Sequence, residues 1–377
     1  MGSTHNIHNH IGIAGAGLLG RLLAWQLLRR GHRVSLFEAG DLDRPRSAAW
    51  TAAGMVSPLS EAVVSERPVY DMGLFALSQW PAWIKQLPDT ATRETLWQQK
   101  GSLVVAHPQD QTELRQFEQE LQHVVGNEAD YQWLDQRGIQ QLEPDLNTAF
   151  QQGLVMAQEG HLDNRRLLPT LLGEIRRLGG HCHSHGAVEL APGKITTEEG
   201  KETFDWVIDC RGLGAKPGHA SLRGVRGEVL HVQTDEVKLS RPVRLMHPRY
   251  QLYIVPKPEH HFVIGATQIE SEDRSPMSLQ SSLELGSALY TLSPAFAEAR
   301  ILEQDVNLRP AFMDNNPHVV QTEGMISANG LFRHGYLLAP AVVEHVLARL
   351  EGASEPPFSE FLNRSIPEEE TEAVCPQ

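Results

Sequence analysis

Cysteine is scarce in this sequence, and its cysteines form no metal-binding pattern. The 377-residue chain contains three, Cys182, Cys210 and Cys375, an odd number without the short spacings of a zinc site. We therefore expect no disulfide framework, and a reducing, cytoplasmic compartment. Histidines alternate at 181, 183 and 185, but no carboxylate or cysteine stands at ligand spacing from them. This pattern favours a solvated strand face, and no metal site is expected.

The sequence also has a deficit of basic residues and lacks long apolar runs. Lysine and arginine number 33 against 47 acidic residues, giving a net charge of −14, which disfavours nucleic acid or an anionic membrane as a partner. The longest apolar runs, 225–232 and 337–347, are interrupted by charge or proline and are too short to span a bilayer. We therefore expect neither a nucleic-acid nor a membrane partner.

The most informative segment that is present is IGIAGAGLLG at 11–20. A short apolar strand, a glycine turn, a helix with leucines at helical spacing and a second strand follow one another in order. Gly15 permits the tight turn, Gly17 lets the backbone approach a phosphate, and Gly20 allows close packing of helix on strand. The acid after the second strand, Glu38, accepts from ribose hydroxyls and would repel a 2′-phosphate. The segment predicts a site for NAD or FAD and disfavours NADP.

The rest of the chain divides into α/β ends and a β-rich middle. A chain of this length normally needs more than one hydrophobic core, so two domains are expected. Apolar spacing predicts helices over 80–87, 111–125, 165–178, 279–292 and 341–350, and strands over 102–106, 228–233, 250–256, 261–267 and in the region before 307. Residues 204–214 form a predicted strand that ends in a glycine turn. This turn is either a second backbone approach to a dinucleotide or an ordinary turn.

Five segments taken together resemble one family. In addition to 11–20 they are AAGM at 52–55, YIVP at 253–256 followed by VIGAT at 263–267, LRP at 308–310 and FRHGYLLAP at 332–340. Over nearly its whole length the chain resembles the flavin-dependent D-amino acid oxidase family, most closely its branch of bacterial glycine oxidases of thiamine biosynthesis. The resemblance implies an α/β fold, α+β overall. A discontinuous Rossmann-like FAD-binding domain (1–90, 150–225 and 305–377) would carry a β-rich substrate domain (91–149 and 226–304) of the D-amino acid oxidase type.

By the same resemblance FAD is the cofactor, and its contacts fall along the whole chain. Leu18 and Leu19 would lie at the pyrophosphate, small residues from Ala48 to Met55 at the isoalloxazine, and the loop from Leu331 to Leu337 at the flavin pyrimidine. The implied cofactor-binding residues are Gly15, Ala16, Gly17, Leu18, Leu19, Gly20, Glu38, Ala39, Ala48, Ala49, Ala53, Gly54, Met55, Val188, Gly212, Gly214, Leu331, Phe332, Arg333, His334, Gly335, Tyr336 and Leu337. His334 departs from the family pattern, which has asparagine before the glycine.

The implied substrate-binding residues are Arg309, Tyr253, Arg333 and Met55. A guanidinium binds a carboxylate through two parallel hydrogen bonds, which suits Arg309 to the substrate's acid group. An arginine before proline also occurs in surface ion pairs, and a strand tyrosine can keep a solvated hydroxyl. Both alternatives stay open at the level of sequence.

The resemblance implies oxidation of glycine and other small amines, such as sarcosine and small D-amino acids. Hydride would pass from Cα to flavin N5, the imine would hydrolyse to glyoxylate or enter thiazole synthesis, and O2 would reoxidise the flavin to give H2O2. No general base is assigned, because the flavin carries out the chemistry. A homo-oligomer is expected. The alternatives are an amine dehydrogenase for a D-amino acid or hydroxyproline with a non-oxygen acceptor, a non-catalytic FAD-binding assembly protein, and an NAD-dependent dehydrogenase.

Overall fold

The computed structural model describes residues 8–248 and 250–363, without the side chains of residues 90–92, 250 and 251. Cys375 and the ends of the predicted FAD-binding domain, 1–7 and 364–377, lie outside the described residues. The helices are α1 (Leu18–Arg29), α2 (Ala48–Thr51), α3 (Pro58–Ala62), α4 (Arg67–Ile84), α5 (Thr90–Leu96), α6 (Gln111–Val125), α7 (Gln136–Leu142), α8 (Asn164–Arg177), α9 (Leu279–Leu292), α10 (Gly335–Leu350) and α11 (Ser359–Leu362).

The strands, in chain order, are β1 (His10–Ala14), β2 (Arg33–Phe37), β3 (Met55–Val56), β4 (Trp97–Gln98), β5 (Ser102–Ala106), β6 (Gln132–Asp135), β7 (Gln152–Met156), β8 (Gly160–Leu162), β9 (His181–His183), β10 (Glu189–Ala191), β11 (Lys194–Thr197), β12 (Gly200–Thr203), β13 (Trp206–Asp209), β14 (Arg223–Gln233), β15 (Val243–His247), β16 (Tyr250–Lys257), β17 (His261–Gly265), β18 (Arg300–Ala311), β19 (His318–Thr322) and β20 (Met325–Asn329).

A six-stranded sheet contains the nucleotide-binding segment. Its strand order is β19-β20-β13-β1-β2-β9, parallel except for β19. Helices α1, α4, α8 and α10 share one large apolar core with it. The predicted order of strand, turn, helix and strand is confirmed by β1, α1 and β2. Because parallel strands end at one edge, the turns after β1 and β13 meet there.

A second, eight-stranded sheet forms the β-rich part. Its order is β18-β14-β17-β16-β15-β5-β7-β6, antiparallel except where β15 pairs with β5. Helix α9 contributes Leu285 and Leu289 to the core beneath it. Two small three-stranded sheets, β10-β11-β12 and β3-β8-β4, complete the sheets of the described residues.

The predicted division into two domains stays a prediction, and two of its boundaries, at 225/226 and 304/305, fall within strands. Strand β7, the start of β14 and the end of β18 all join the eight-stranded sheet, although they fall on the FAD side of the predicted boundaries. Strand β18 also continues through 307–310, where the predicted strand had ended. It is an edge strand, so Pro310 can lack an N–H without interrupting the sheet.

The last long helix begins earlier than predicted. We predicted a helix from residue 341, after Pro340, but α10 begins at Gly335 and contains that proline. A proline cannot donate to the carbonyl four residues before it, here that of Tyr336. The indole N–H of Trp80 donates to this carbonyl at 2.9 Å and so replaces the missing bond. Trp80 belongs to α4, which begins at Arg67, well before the predicted helix at 80–87.

No helix in the described part of the chain is long and apolar enough to cross a membrane.

Candidate active site

A cleft of about 1420 Å³ joins the two sheets and contains most of the predicted site residues. It is larger than the roughly 300–1,000 Å³ of sites for drug-sized ligands. The predicted residues that line it are Gly15, Ala16, Gly17, Leu18, Leu19, Glu38, Ala48, Ala49, Ala53, Gly54, Met55, Gly212, Gly214, Tyr253, Arg309, Leu331, Phe332, Arg333, His334, Gly335, Tyr336 and Leu337. The cleft therefore has room for a dinucleotide and a small substrate.

Three predicted cofactor residues, Gly20, Ala39 and Val188, do not line the cleft, and their roles stay predictions. Gly20 lies in the first turn of α1, where a Cβ would stand 1.9 Å from the carbonyl oxygen of Gly15. Its place is thus one of close packing. Ala39 is exposed, and the carbonyl of half-buried Val188 accepts from Arg211 at 3.2 Å.

One end of the cleft is built for an anion. Gly15 has φ +96°, and a Cβ there would lie 2.4 Å from the carbonyl oxygen of Cys210, so only glycine fits where β1 and β13 end. Helix α1 follows with Gly17 as its N-cap, no side-chain cap and no acid in its first turn. The first N–H groups of a helix lack intrahelical partners and favour an anion. Ser47, which lines the cleft near Gly17, has a buried hydroxyl without a partner among the described residues.

Side chains from distant elements fix this end. Glu38 accepts from the N–H of Ala16 at 2.8 Å and of Gly40 at 3.0 Å. Buried Arg21 donates to three carbonyls, those of Ala16, Leu42 and Leu168, at 2.7 to 2.8 Å. Burial lowers the pKa of Arg21. These bonds hold the turn, α1 and α8 together, and the apolar leucine pattern of α1 gave no signal of this arginine's role.

The middle of the cleft is lined by small residues whose carbonyls are held by side chains. Sequence reasoning missed Lys257 and Asn164 among these and had Tyr336 only as a cofactor contact. Lys257 donates to the carbonyls of Ala53 at 2.7 Å and Leu162 at 2.6 Å, and burial lowers its pKa to about 8. Asn164 donates to the carbonyl of Ala49 at 3.1 Å, and the hydroxyl of Tyr336 donates to the same oxygen at 3.0 Å. These bonds hold the backbone of the segment in place.

The opposite end contains Arg309 and Tyr253. Arg309 donates to the carbonyls of Thr267 at 3.0 Å and Arg226 at 3.3 Å, and it forms no ion pair with a carboxylate of the described chain. Burial lowers the pKa of Arg309 and raises that of Tyr253. Gly227 makes the room for Arg309, since a Cβ there would lie 2.4 Å from its guanidinium carbon. Met55 and Tyr253 pack against the same small apolar cluster.

A polar cluster next to Tyr253 was not predicted. The Glu61 carboxylate on α3 forms ion pairs with Nε of Arg333 at 3.1 Å and with Arg244, and it accepts from Nε2 of His334 at 3.0 Å. Burial alone would raise the pKa of Glu61, but Arg333, Arg244 and His334 lower it well below its ordinary value. We call these four residues the Glu61 cluster. A single acid in a five-residue helix carries no spacing signal, so the sequence could not reveal it.

Three features of the described residues make the cleft suitable for FAD. The glycine turn and the free first turn of α1 suit a pyrophosphate. The unpartnered Ser47 hydroxyl at the same end is available to the ligand. The small residues between Ala48 and Gly54 allow a flat ring to lie against the backbone.

The fold and the cleft thus define a dinucleotide-binding α/β protein whose site is completed by a second, β-rich sheet. A family profile described as FAD dependent oxidoreductase matches residues 10–349. The chain belongs to this family of FAD-dependent oxidoreductases, as the sequence predicted, and FAD is its cofactor.

Relatives and solved structures agree with this assignment. The chain is 41% identical over 342 residues to a protein of Rhizobium etli, and the match covers 90% of this chain and 95% of that one. The name of that protein, thiamine biosynthesis oxidoreductase ThiO, is itself a provisional assignment. The chain is 27% identical to a glycine oxidase of Pseudomonas aeruginosa, over 91% of this chain and 95% of that one. The crystal structure of glycine oxidase from Geobacillus kaustophilus superposes with a TM-score of 0.80 at 23% identity, covering 95% and 99% of the two chains. The predicted fold class is confirmed.

Proposed function

We propose that this enzyme oxidises glycine and other small amines, including sarcosine and small D-amino acids, to the imine. The single observation that carries the proposal is Arg309, a cation in the cleft with no carboxylate partner in the described chain, next to half-buried Tyr253. A substrate carboxylate would supply the missing partner. The names of the relatives, glycine oxidase and ThiO, support the same substrate class and a role in thiamine biosynthesis.

The residues of this chain would bind and orient the substrate. Gly15, Ser47 and the first turn of α1 would hold the cofactor's phosphates, and the segment from Ala48 to Met55 would lie against its ring. When bound, FAD supplies a two-electron acceptor for the substrate's Cα–H bond. Arg309 and Tyr253 would fix the carboxylate, and holding the reacting atoms in place accounts for much of the rate without a general base. Glycine loses one C–H and one N–H bond and gains a C=N bond, and water then cleaves this imine to glyoxylate and ammonia.

Reoxidation by O2 to give H2O2, a homo-oligomeric state and a cytoplasmic location belong to the same proposal. They are supported by the family resemblance and by the scarcity of cysteine.

The absorption spectrum of the purified holoenzyme, before and after anaerobic addition of glycine, tests the proposal. Bleaching of the flavin band by glycine or sarcosine is expected. Faster bleaching by D-proline or D-alanine than by glycine would replace the proposed substrate, and a spectrum that no amine changes would overturn the oxidase function.

A further inference from the structure

The Glu61 cluster lies directly beside the residues proposed to hold the substrate. Arg244 on β15 and Tyr253 on β16 are cross-strand partners in the antiparallel register, and such partners lie about 4.5–5.5 Å apart at Cβ. Arg333 and Glu61 act on the charge of Arg309 in opposite directions, the first lowering and the second raising its pKa. The cluster and the proposed carboxylate site therefore form one electrostatic unit.

Glu61 is held firmly in this place. Its neighbour Ser60 donates through both N–H and hydroxyl to the buried carboxylate of Glu159, each at 2.8 Å, which anchors α3. Glu61 is itself largely buried, with 12% of its side chain exposed, and Arg244 is 3% exposed. A buried carboxylate with several charge-assisted hydrogen bonds has little freedom to leave.

The donors around Glu61 are those that a substrate acid group would need. Arg244 and Arg333 carry two positive charges, and His334 donates through Nε2, because a carboxylate can only accept. Glu61 occupies this set with a carboxylate from the protein itself. Arg309, by contrast, has no carboxylate partner among the described residues and stays available to a substrate acid group.

We propose that Glu61 is a specificity-determining residue that reserves the cleft for substrates with one carboxylate, by occupying the donors that would otherwise bind a second. The inference rests on the proposed function, since it takes Arg309 as the anchor for the first carboxylate. An amine with two acid groups would meet the negative charge of Glu61 where its second carboxylate needs a cation. Loss of that charge opens a second acid subsite.

The test compares ligands with one and two carboxylates on the holoenzyme. Dissociation constants of glycolate and malonate are measured from the change in flavin absorbance, for the wild type and Glu61→Gln. Malonate binding relative to glycolate should strengthen about tenfold or more in the variant, as expected when a carboxylate gains charged partners. The ratio of the two constants removes the gain in affinity that one carboxylate shows in both ligands, so that it reports on the second carboxylate of malonate.

Three further variants make the result specific. Glu61→Asp keeps the charge and should keep the wild-type ratio, and Glu61→Gln combined with Arg333→Gln should lose most of the gain. Glu143→Gln is the matched control, because Glu143 is also buried and paired with an arginine, Arg241, but does not line the cleft. An unchanged malonate-to-glycolate ratio in Glu61→Gln, or the same shift in Glu143→Gln, would overturn the proposal.

If Glu61→Gln does not fold, a second measurement tests the proposal. In Glu61→Ala, formate should enter the vacated place, and a saturable rise of the unfolding temperature with formate concentration is expected that the wild type, where Glu61 fills this place, does not show. No such rise would overturn the inference. Failure of the proposed function shows elsewhere, as a flavin that glycine does not bleach, because the binding ratio requires no turnover.

Discussion

Removing Arg309 should disable carboxylate binding while leaving the fold intact. Two backbone carbonyls, at 3.0 and 3.3 Å, already hold the guanidinium in place, so it needs no rearrangement to receive a ligand. Loss of one partner of a buried charge pair costs about 2–5 kcal/mol. At about 1.4 kcal/mol per tenfold, the KM for glycine should rise roughly 30-fold to several thousandfold in Arg309→Ala.

The assay measures peroxide production against glycine concentration, and the dissociation constant of glycolate gives binding without turnover. Arg309→Lys keeps the charge but not the two-pronged geometry, so its KM should lie between those of the wild type and Arg309→Ala. Arg300→Ala is the matched control, since Arg300 is exposed on the same strand. The assignment of Arg309 to the carboxylate would be refuted if Arg309→Ala had a KM for glycine and a dissociation constant for glycolate within about twofold of those of the control.

Three other predictions follow from the same structure. Gly227→Ala should raise the KM for glycine, though less than Arg309→Ala does, because the new Cβ would stand 2.4 Å from the Arg309 guanidinium and displace it. An unchanged KM would show that the arginine has space to move. Ser47→Ala should weaken FAD binding to the apoprotein about two- to tenfold, the worth of one hydrogen bond, in a fluorescence titration, and equal affinity would exclude the hydroxyl from the site. Burial lowers the pKa of His161 to about 3, below its ordinary value near 6.5, so the unfolded chain binds this proton first as pH falls. The free energy of unfolding of the wild type, relative to His161→Gln, should therefore decrease from about pH 6.5 towards pH 3, and parallel pH curves would contradict this.

Local apolar periodicity was sufficient to predict the bounds of those helices and strands whose ends depend on their own residues. Helices α6 and α9 and strand β5 have the predicted bounds, because the helices carry apolar residues at helical spacing and β5 is a short, continuous buried run. Helix α10 was predicted too short, since the rule that proline ends a helix takes no account of a tryptophan from another helix that satisfies the carbonyl. That compensation is a tertiary contact and leaves no trace in the sequence near Pro340.

In the candidate site too, residues within local motifs were predicted, and residues that meet only in the folded structure were missed. Cofactor residues concentrated in the glycine turn and in the 331–337 loop were found from motifs, and nearly all line the cleft. Glu61, Arg244 and Lys257 were missed. The partners of Glu61 stand 183 and 273 residues away along the chain, and no spacing rule joins residues at such separations.

The sequence by itself determined the nucleotide-binding turn. Within 11–20 the glycines, the strand and the first turn of the helix are neighbours in the chain, so the local backbone presents the N–H groups of the anion site. Only the tertiary structure decided the other end of the cleft. There, antiparallel pairing of β14 with β18 and of β15 with β16 brings Gly227, Arg309, Arg244 and Tyr253 together, and α3 adds Glu61. Their charges and contacts depend on distances in space, which are fixed only when the eight-stranded sheet has formed.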